Sequence, residues 1–369
     1  MIKGLYIHIP FCDSICTYCD FCKMVANQEL KTKYIDALIK ELDFHVYKYT
    51  NLETIYIGGG TPSSLDLELL DLLLKRISDY IDVKNLSEYT IEANPNDINQ
   101  DFIDIIKKRN INRVSLGVQT MDNGLLKFLN RTHKKEDVNK GIELLRANGI
   151  NNINLDFIHS IPNQTMDSIK TDLSYIKTIK PPHISYYSLI VEENTLLSYL
   201  ISQKQVTPLS SDLEADYSEY IRDSLLELGY NRYEISNYAK NGLESAHNLL
   251  YWNLDEYLGV GLNAASQYDN KRFKNPNLIT NYINKINQKD FTNTEEDFNP
   301  VMEYILLGLR KTEGINLNDF STKYKEDVFE LYPGLKKHLK NGLLVIKNSY
   351  LKFSKKGMEL SNQVYLEII

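Results

Sequence analysis

The chain reads as an α/β protein: a partial (β/α)6 barrel, then an irregular segment, then a small winged-helix-like α+β unit. Three observations predict this. Short β-branched or aromatic runs alternate with longer apolar-periodic stretches over residues 1 to about 230, the rhythm of parallel strands covered by helices. The polar and glycine-rich stretches fall at or just after the C-terminal ends of those runs, the face on which a barrel builds its site. Beyond residue 230 the rhythm stops.

Strands are expected at 4–9, 54–57, 89–93, 113–118, 152–158 and 183–191, each a short run rich in Ile, Val, Tyr or Thr. Helices are expected between them at 28–48, 65–80, 99–108, 135–148, 166–178 and 212–228, where apolar residues recur at helical spacing. Residues 231–296 are dense in aromatics, Asn and Gly and read as an irregular segment packed on the barrel. Residues 297–369 read as charged helices, a β-hairpin and a final helix. The domain division expected is therefore 1–230, 231–296 and 297–369.

Composition narrows the function. The 369 residues are 43% hydrophobic and 25% charged, ordinary for a globular protein. The 42 basic against 49 acidic side chains give −7, with no basic stripe, which argues against nucleic acid as partner. No apolar run approaches membrane-spanning length, and the first residues form a strand pattern rather than a secretory signal. A cytoplasmic location is expected, where clustered cysteines serve as metal ligands more often than as disulfides.

All four cysteines lie within the sequence PFCDSICTYCDFC: Cys12, Cys16, Cys19 and Cys22. The first three have the C-x3-C-x2-C spacing that holds three irons of a [4Fe–4S] cluster and leaves the fourth iron open. A four-thiolate zinc site is the competing reading, although structural zinc sites usually pair two cysteine knuckles across a longer stretch. Cys22 is read as outside the working ligand set.

The other motifs are individually weaker. Gly58-Gly59-Gly60-Thr61-Pro62 follows a strand and opens a helix, so its backbone can approach a ligand closely; it lacks the Gly-Lys-Ser/Thr of a P-loop. Glu92, at a strand end in TIEANP, can accept two ribose hydroxyls, whereas a lone Glu is more often solvated or salt-bridged. Gln119, Arg131 and Asp156 gain weight by falling on the same rim. Tyr6 and Tyr18 flank the cysteine loop and could stack on a ligand, although with 26 tyrosines packing is the default. In SAHNLLYW the sole Trp stands near His247, Asn248 and Tyr251; a satisfied structural histidine is the ordinary reading and a porphyrin-facing patch the functional one. His8, His133, His159 and His183 also sit near motif loops.

Together YIHIPFC, IGGGTPS, TIEANP, RVSLGVQ, HISYYSL, RYEISNYA, HNLLYW and YLGVGLNAAS resemble the radical S-adenosylmethionine superfamily, almost end to end. Within it the chain is similar to the branch holding oxygen-independent coproporphyrinogen III oxidase and the HemW haem chaperones, with DFC and HNLLYW closer to the chaperones. The resemblance implies a radical-SAM barrel with Cys12, Cys16 and Cys19 on the cluster and S-adenosylmethionine on its open iron. Gly59, Gly60 and Thr61 would then meet the methionine part and Glu92 the ribose, with Gln119, Arg131 and Asp156 completing the pocket. Tyr6 and Tyr18 would line the cofactor near the cluster, and His247 would face haem. In the superfamily an electron from the reduced cluster cleaves the sulfonium to give a 5′-deoxyadenosyl radical.

The resemblance further implies haem as cargo, a haem-accepting protein and a reductant as partners, peripheral membrane association only through that acceptor, and a monomer or weak dimer. The alternative is the oxidase itself, decarboxylating two propionates to vinyls. Only eleven residues precede Cys12, too few for the cap that shields an oxidase's substrate, so the chaperone is the expectation. One departure stands out: Ser160 and Asn163, in FIHSIPNQT, occupy positions where the branch commonly has glycine.

Overall fold

The computed structural model describes residues 1–369. Its first part alternates strand and helix: β1 (Gly4–Ile9), α1 (Gln28–Phe44), β2 (Thr54–Gly59), α2 (Leu67–Tyr80), β3 (Glu88–Ala93), α3 (Gln100–Lys108), β4 (Arg113–Gln119), α4 (Asn123–Phe128), α5 (Lys135–Ala147), β5 (Ile153–His159), α6 (Met166–Ile179), β6 (His183–Ser188), α7 (Leu196–Ser202) and α8 (Ser211–Glu227). Polar caps set several helix starts: Asn27 accepts from Leu30 N, Asn99 from Phe102 N, and Thr165 forms a capping box with Ser168 on α6. The helices bury one stripe each against the sheet, as Phe102, Ile103 and Ile106 of α3 do.

Strands β1 to β6 pair in sequence order, all parallel. The sheet does not close on itself. Beyond β6 runs an antiparallel hairpin, β7 (Asn231–Arg232) and β8 (Asn237–Ala239). The chain then forms α9 (Ala246–Trp252) and adds β9 (Tyr257–Val260), parallel to β1, with β10 (Ala265–Tyr268), β11 (Lys271–Lys274) and, after α10 (Ile279–Asn287), β12 (Thr294–Glu296) outside it. The segment expected to be irregular thus packs on the barrel mainly by extending both edges of its sheet. The strands concerned are two to four residues long, too short to give a periodic signal in sequence.

The remainder folds around its own apolar cluster, centred on Ile305, Leu309, Phe320, Leu335, Leu351 and Val364. Helix α11 (Pro300–Arg310) leads into a three-stranded antiparallel sheet in the order Ile315–Asn316, Tyr350–Phe353, Leu344–Lys347, with short helices around it. Charged and polar groups join it to the barrel: the buried Arg222 of α8 and Arg232 of β7 both reach Glu359, at 3.2 and 2.9 Å. No helix is long and apolar enough to cross a membrane.

Candidate functional site

The loop after β1 carries the cysteines and is pinned at its base and along its length. Cys12 N donates to Met24 O (3.0 Å), Met24 N to Pro10 O (2.7 Å), and the His8 ring meets Cys22 O at 2.8 Å. Thr17 N donates to Leu129 O (3.2 Å), Leu197 N of α7 to Thr17 O (2.8 Å) and Asn130 Nδ2 to Ile15 O (2.7 Å). The loop overlies a cavity of about 550 Å³ at the C-terminal ends of the parallel strands.

Cys12, Cys16 and Cys19 line that cavity with Tyr18, Gly59, Gly60, Thr61, Glu92, Gln119, Arg131 and Asp156. Cys22 does not; its sulfur lies 3.9 Å from Asn277 O, turned to the segment before α10. Thr61 Oγ1 is 3.6 Å from the Cys12 sulfur, and Arg131 Nη1 is 3.5 Å from that of Cys16. Arg131 is held by donating from Nη2 to Asn94 Oδ1 (2.6 Å) and Gly117 O (2.8 Å). Burial pushes the Cys12 thiol up to about 11 and raises Cys19 too, so metal loading must displace protons.

The glycines make room. A Cβ on Gly60 would come within 2.7 Å of Phe11 O and 3.0 Å of the Cys12 sulfur. Gly59 adopts φ +119°, where a side chain is strained, and a Cβ there would strike the His8 ring at 2.5 Å. Glu92 accepts from Gly59 N (3.1 Å) and Tyr56 OH (2.7 Å). Burial pushes its carboxyl up to about 7, with the nearby Asp156 adding to the rise. Asp156, itself raised by burial, accepts from Ser115 Oγ (3.0 Å) and Asn154 Nδ2 (2.7 Å). Gln119 sits at φ +66° beside a register shift between β4 and β5, a strained backbone of the kind that aims a side chain at a site.

Two expected site residues are not brought to the cavity. Tyr6 donates to His8 Nδ1 (2.9 Å) and stacks behind Tyr56, which takes the place on the wall. His247 is buried with both ring nitrogens engaged, Nδ1 to Thr54 Oγ1 (2.7 Å) and Nε2 to Tyr251 OH (2.8 Å). Burial lowers its pKa to about 3. It is the ordinary satisfied histidine; successive helix positions differ by about 100°, and the next residue, Asn248, faces the cavity instead. All seven histidines, His8, His133, His159 and His183 included, are buried, so none stands open to an incoming haem.

The structure also adds wall residues given no individual role from the sequence, Tyr56, Asn94, Ser115, Ser185, Tyr187 and Asn237, together with Asn248 of SAHNLLYW. Period-two alternation from Glu92, Asp156 and the other inward positions marks some of these; Asn237 and Asn248 come from segments whose placement is purely tertiary. Ser160 and Asn163 lie at φ +63° and +66°, the left-handed region that a glycine occupies without strain.

The donor set fits the group its spacing implies. Three thiols share one cavity, a backbone cradle beside Cys12 excludes even a methyl, and the half-buried carboxyls of Glu92 and Asp156 on the wall suit a ligand bearing hydroxyls and positive charge.

Residues 6–176 match the model of the radical SAM superfamily and residues 299–360 that of the HemN C-terminal domain. The "Heme chaperone HemW" of Lactococcus lactis subsp. lactis is 38% identical over 366 residues, spanning 98% of this chain and 96% of that protein. That of Bacillus subtilis is 36% identical over 375 residues, spanning 99% and 98%. The chain belongs to the HemW family. HemW-family membership places it in the radical SAM superfamily, which implies a [4Fe–4S] cluster and S-adenosylmethionine. The fold is that of the coproporphyrinogen III oxidase HemN of Escherichia coli, with a TM-score of 0.84, 20% identity and coverage of 100% of this chain and 90% of that one.

Proposed function

We propose that this protein binds one haem and passes it to a haem-requiring acceptor, working with a [4Fe–4S] cluster on Cys12, Cys16 and Cys19 and with S-adenosylmethionine in the adjoining cavity. One observation carries the reading: the three-cysteine cavity lies within a chain similar over nearly its whole length to proteins named haem chaperones. When bound, the reduced cluster supplies an electron to the sulfonium of S-adenosylmethionine.

The protein's own residues bind and orient. Thr61 and Arg131 brace the thiols, while Gly59 and Gly60 offer backbone to the methionine end. Glu92 keeps a free lone pair on each oxygen for the ribose diol, its remaining capacity after Tyr56 and Gly59. Gln119 and Asp156 close the pocket, and Tyr18 packs over a small apolar cluster beside it.

The test is a transfer assay. Haem-loaded protein is mixed with a haem-free haem protein and the acceptor's absorbance is followed. Stoichiometric binding followed by transfer supports the reading, and failure of cluster-loaded protein to bind haem removes it.

A further inference from the structure

Beneath the cavity floor lies a positive charge with no partner of opposite sign. Arg113, the first residue of β4, is 2% exposed and does not line the cavity. Its Nη1 makes one long hydrogen bond, 3.4 Å to Thr90 Oγ1; its Nε is buried without a partner, and it forms no ion pair. The other buried arginine, Arg222, pairs with Glu219, Asp223 and Glu359. An unpaired buried charge is costly. A guanidinium cannot escape that cost by losing its proton, so its charge persists and acts on whatever titrates around it.

In the β3–β4 ladder Arg113 stands opposite Thr90, and Ser115 stands opposite Glu92. Side chains alternate along a strand, so Glu88, Thr90 and Glu92 share the inward face with Arg113 and Ser115. Glu88, on the far side from the cavity, is already satisfied: it accepts from Thr90 Oγ1 (3.0 Å), Ser245 Oγ (3.1 Å) and Ala246 N (2.7 Å). Glu92 lies one inward position the other way, roughly 7 Å along the strand, and Ser115 Oγ donates to Asp156 (3.0 Å). His183 and His247 share the interior and are held neutral by burial, with Arg113 adding to the effect. Around Glu92 stand Tyr6 of β1, Tyr56 of β2, Tyr187 of β6 and Tyr251 of α9, all raised far enough by burial to stay neutral. Burial raises Glu92 and Asp156 as well, and Arg113 is the cation that opposes the rise in both. Arg131 is turned instead to the Cys16 sulfur, at 3.5 Å.

We infer that Arg113 is a positioning residue that acts through Glu92: its fixed charge favours the carboxylate near neutral pH, so that both oxygens accept the ribose hydroxyls of S-adenosylmethionine. This rests on the reading that the cofactor occupies the cavity with its ribose at Glu92. A protonated carboxyl spends one oxygen as a donor and cannot accept through both. The guanidinium touches neither the cofactor nor Glu92; it sets the pH range over which the pocket can hold its ligand. The sign follows directly. Removing the positive charge raises the Glu92 pKa, so binding is lost on the acid side and kept on the alkaline side.

The test is anaerobic calorimetric titration of cluster-loaded protein with S-adenosylmethionine from about pH 6 to about pH 8.5. Arg113→Met should move the midpoint of the affinity profile up by about one pH unit. Binding is then on the order of tenfold weaker at the acid end and within about twofold of wild type at the alkaline end. Arg113→Gln, polar and neutral, should do the same, which separates loss of charge from loss of shape. The cofactor's own amino group titrates alike in every variant and cancels from the difference. In a Glu92→Gln background, Arg113→Met should change affinity by no more than about twofold at any pH. An equal loss at every pH, the mark of a merely structural role, or a profile unmoved in both variants overturns the inference. Absence of S-adenosylmethionine binding by wild type at any pH overturns the cofactor reading beneath it, a separate and recognisable outcome.

Discussion

The carboxylate of Glu92, on β3, lies 3.1 Å from the backbone N–H of Gly59, at the end of β2, and stands half-buried on the cavity wall. One hydrogen bond thus ties the acidic group expected at the ribose to the glycine turn expected at the methionine end. A second, from Tyr56 OH at 2.7 Å, fixes its other oxygen.

That arrangement has a pH signature. Glu92 is raised from 4.5 to about 7, so the folded state holds its proton more tightly than the unfolded chain. The contribution to stability is complete below 4.5 and is lost as pH rises toward 7. Glu92→Gln should flatten this fall by on the order of a few kcal/mol in ligand-free protein. Chemical denaturation at pH 5 and pH 8 measures it; part of the slope will persist, because Asp172 is likewise raised to about 7 by burial. A slope unchanged in Glu92→Gln would remove Glu92 as its source.

The cysteines should divide three against one. Ser at 12, 16 or 19 should abolish the broad absorbance near about 400 nm expected of a thiolate-bound cluster, while Cys22→Ser should keep most of it, since that sulfur faces Asn277 rather than the cavity. Reconstitution followed by absorbance and iron analysis decides. An intact cluster in Cys16→Ser would refute the ligand set.

Gly60→Ala places a methyl against the backbone of Phe11 and the Cys12 sulfur. Cluster content should drop and S-adenosylmethionine affinity fall by at least about tenfold, with the fold retained, as a misplacement of about 1 Å beside a reacting centre can cost still more. Wild-type binding in this variant would show that the cradle is slack.

Ser160→Gly should stabilise the protein by up to about 1 kcal/mol through relief of left-handed strain, less the 3.0 Å hydrogen bond that Ser160 shares with His159. Asn163→Gly should gain less, because Asn tolerates that region better. Thermal melting checks both.

His247→Ala should lower stability by roughly 2–4 kcal/mol, since it strands the Thr54 and Tyr251 hydroxyls and leaves a void. Haem uptake per folded molecule should be unchanged. Loss of haem binding with full stability would mean that this histidine leaves its niche to act as ligand.

Much of this was legible in the chain because the chemistry is local. Parallel strands of six or seven residues announce themselves by β-branched runs, and the motifs after β1, β2, β3 and β5 come from contiguous residues. The rest depends on three-dimensional placement. Tyr6 and Tyr56 both sit on inward positions of neighbouring strands, and only packing decides which reaches the cavity. His247 and Asn248 are adjacent in sequence, yet helix rotation buries one and exposes the other to the site. Asn237 enters through a strand of three residues whose partner, β6, lies about fifty residues earlier, a pairing no periodicity reveals.

The most direct measurement of the central claim is a paired anaerobic experiment on protein carrying its cluster and S-adenosylmethionine. One half is titrated with haem and offered a haem-free acceptor; the other is given reductant and coproporphyrinogen III. Haem bound one to one and transferred, with no divinyl porphyrinogen formed, is the predicted result. Formation of that product without haem transfer would contradict the account and make the protein an oxidase.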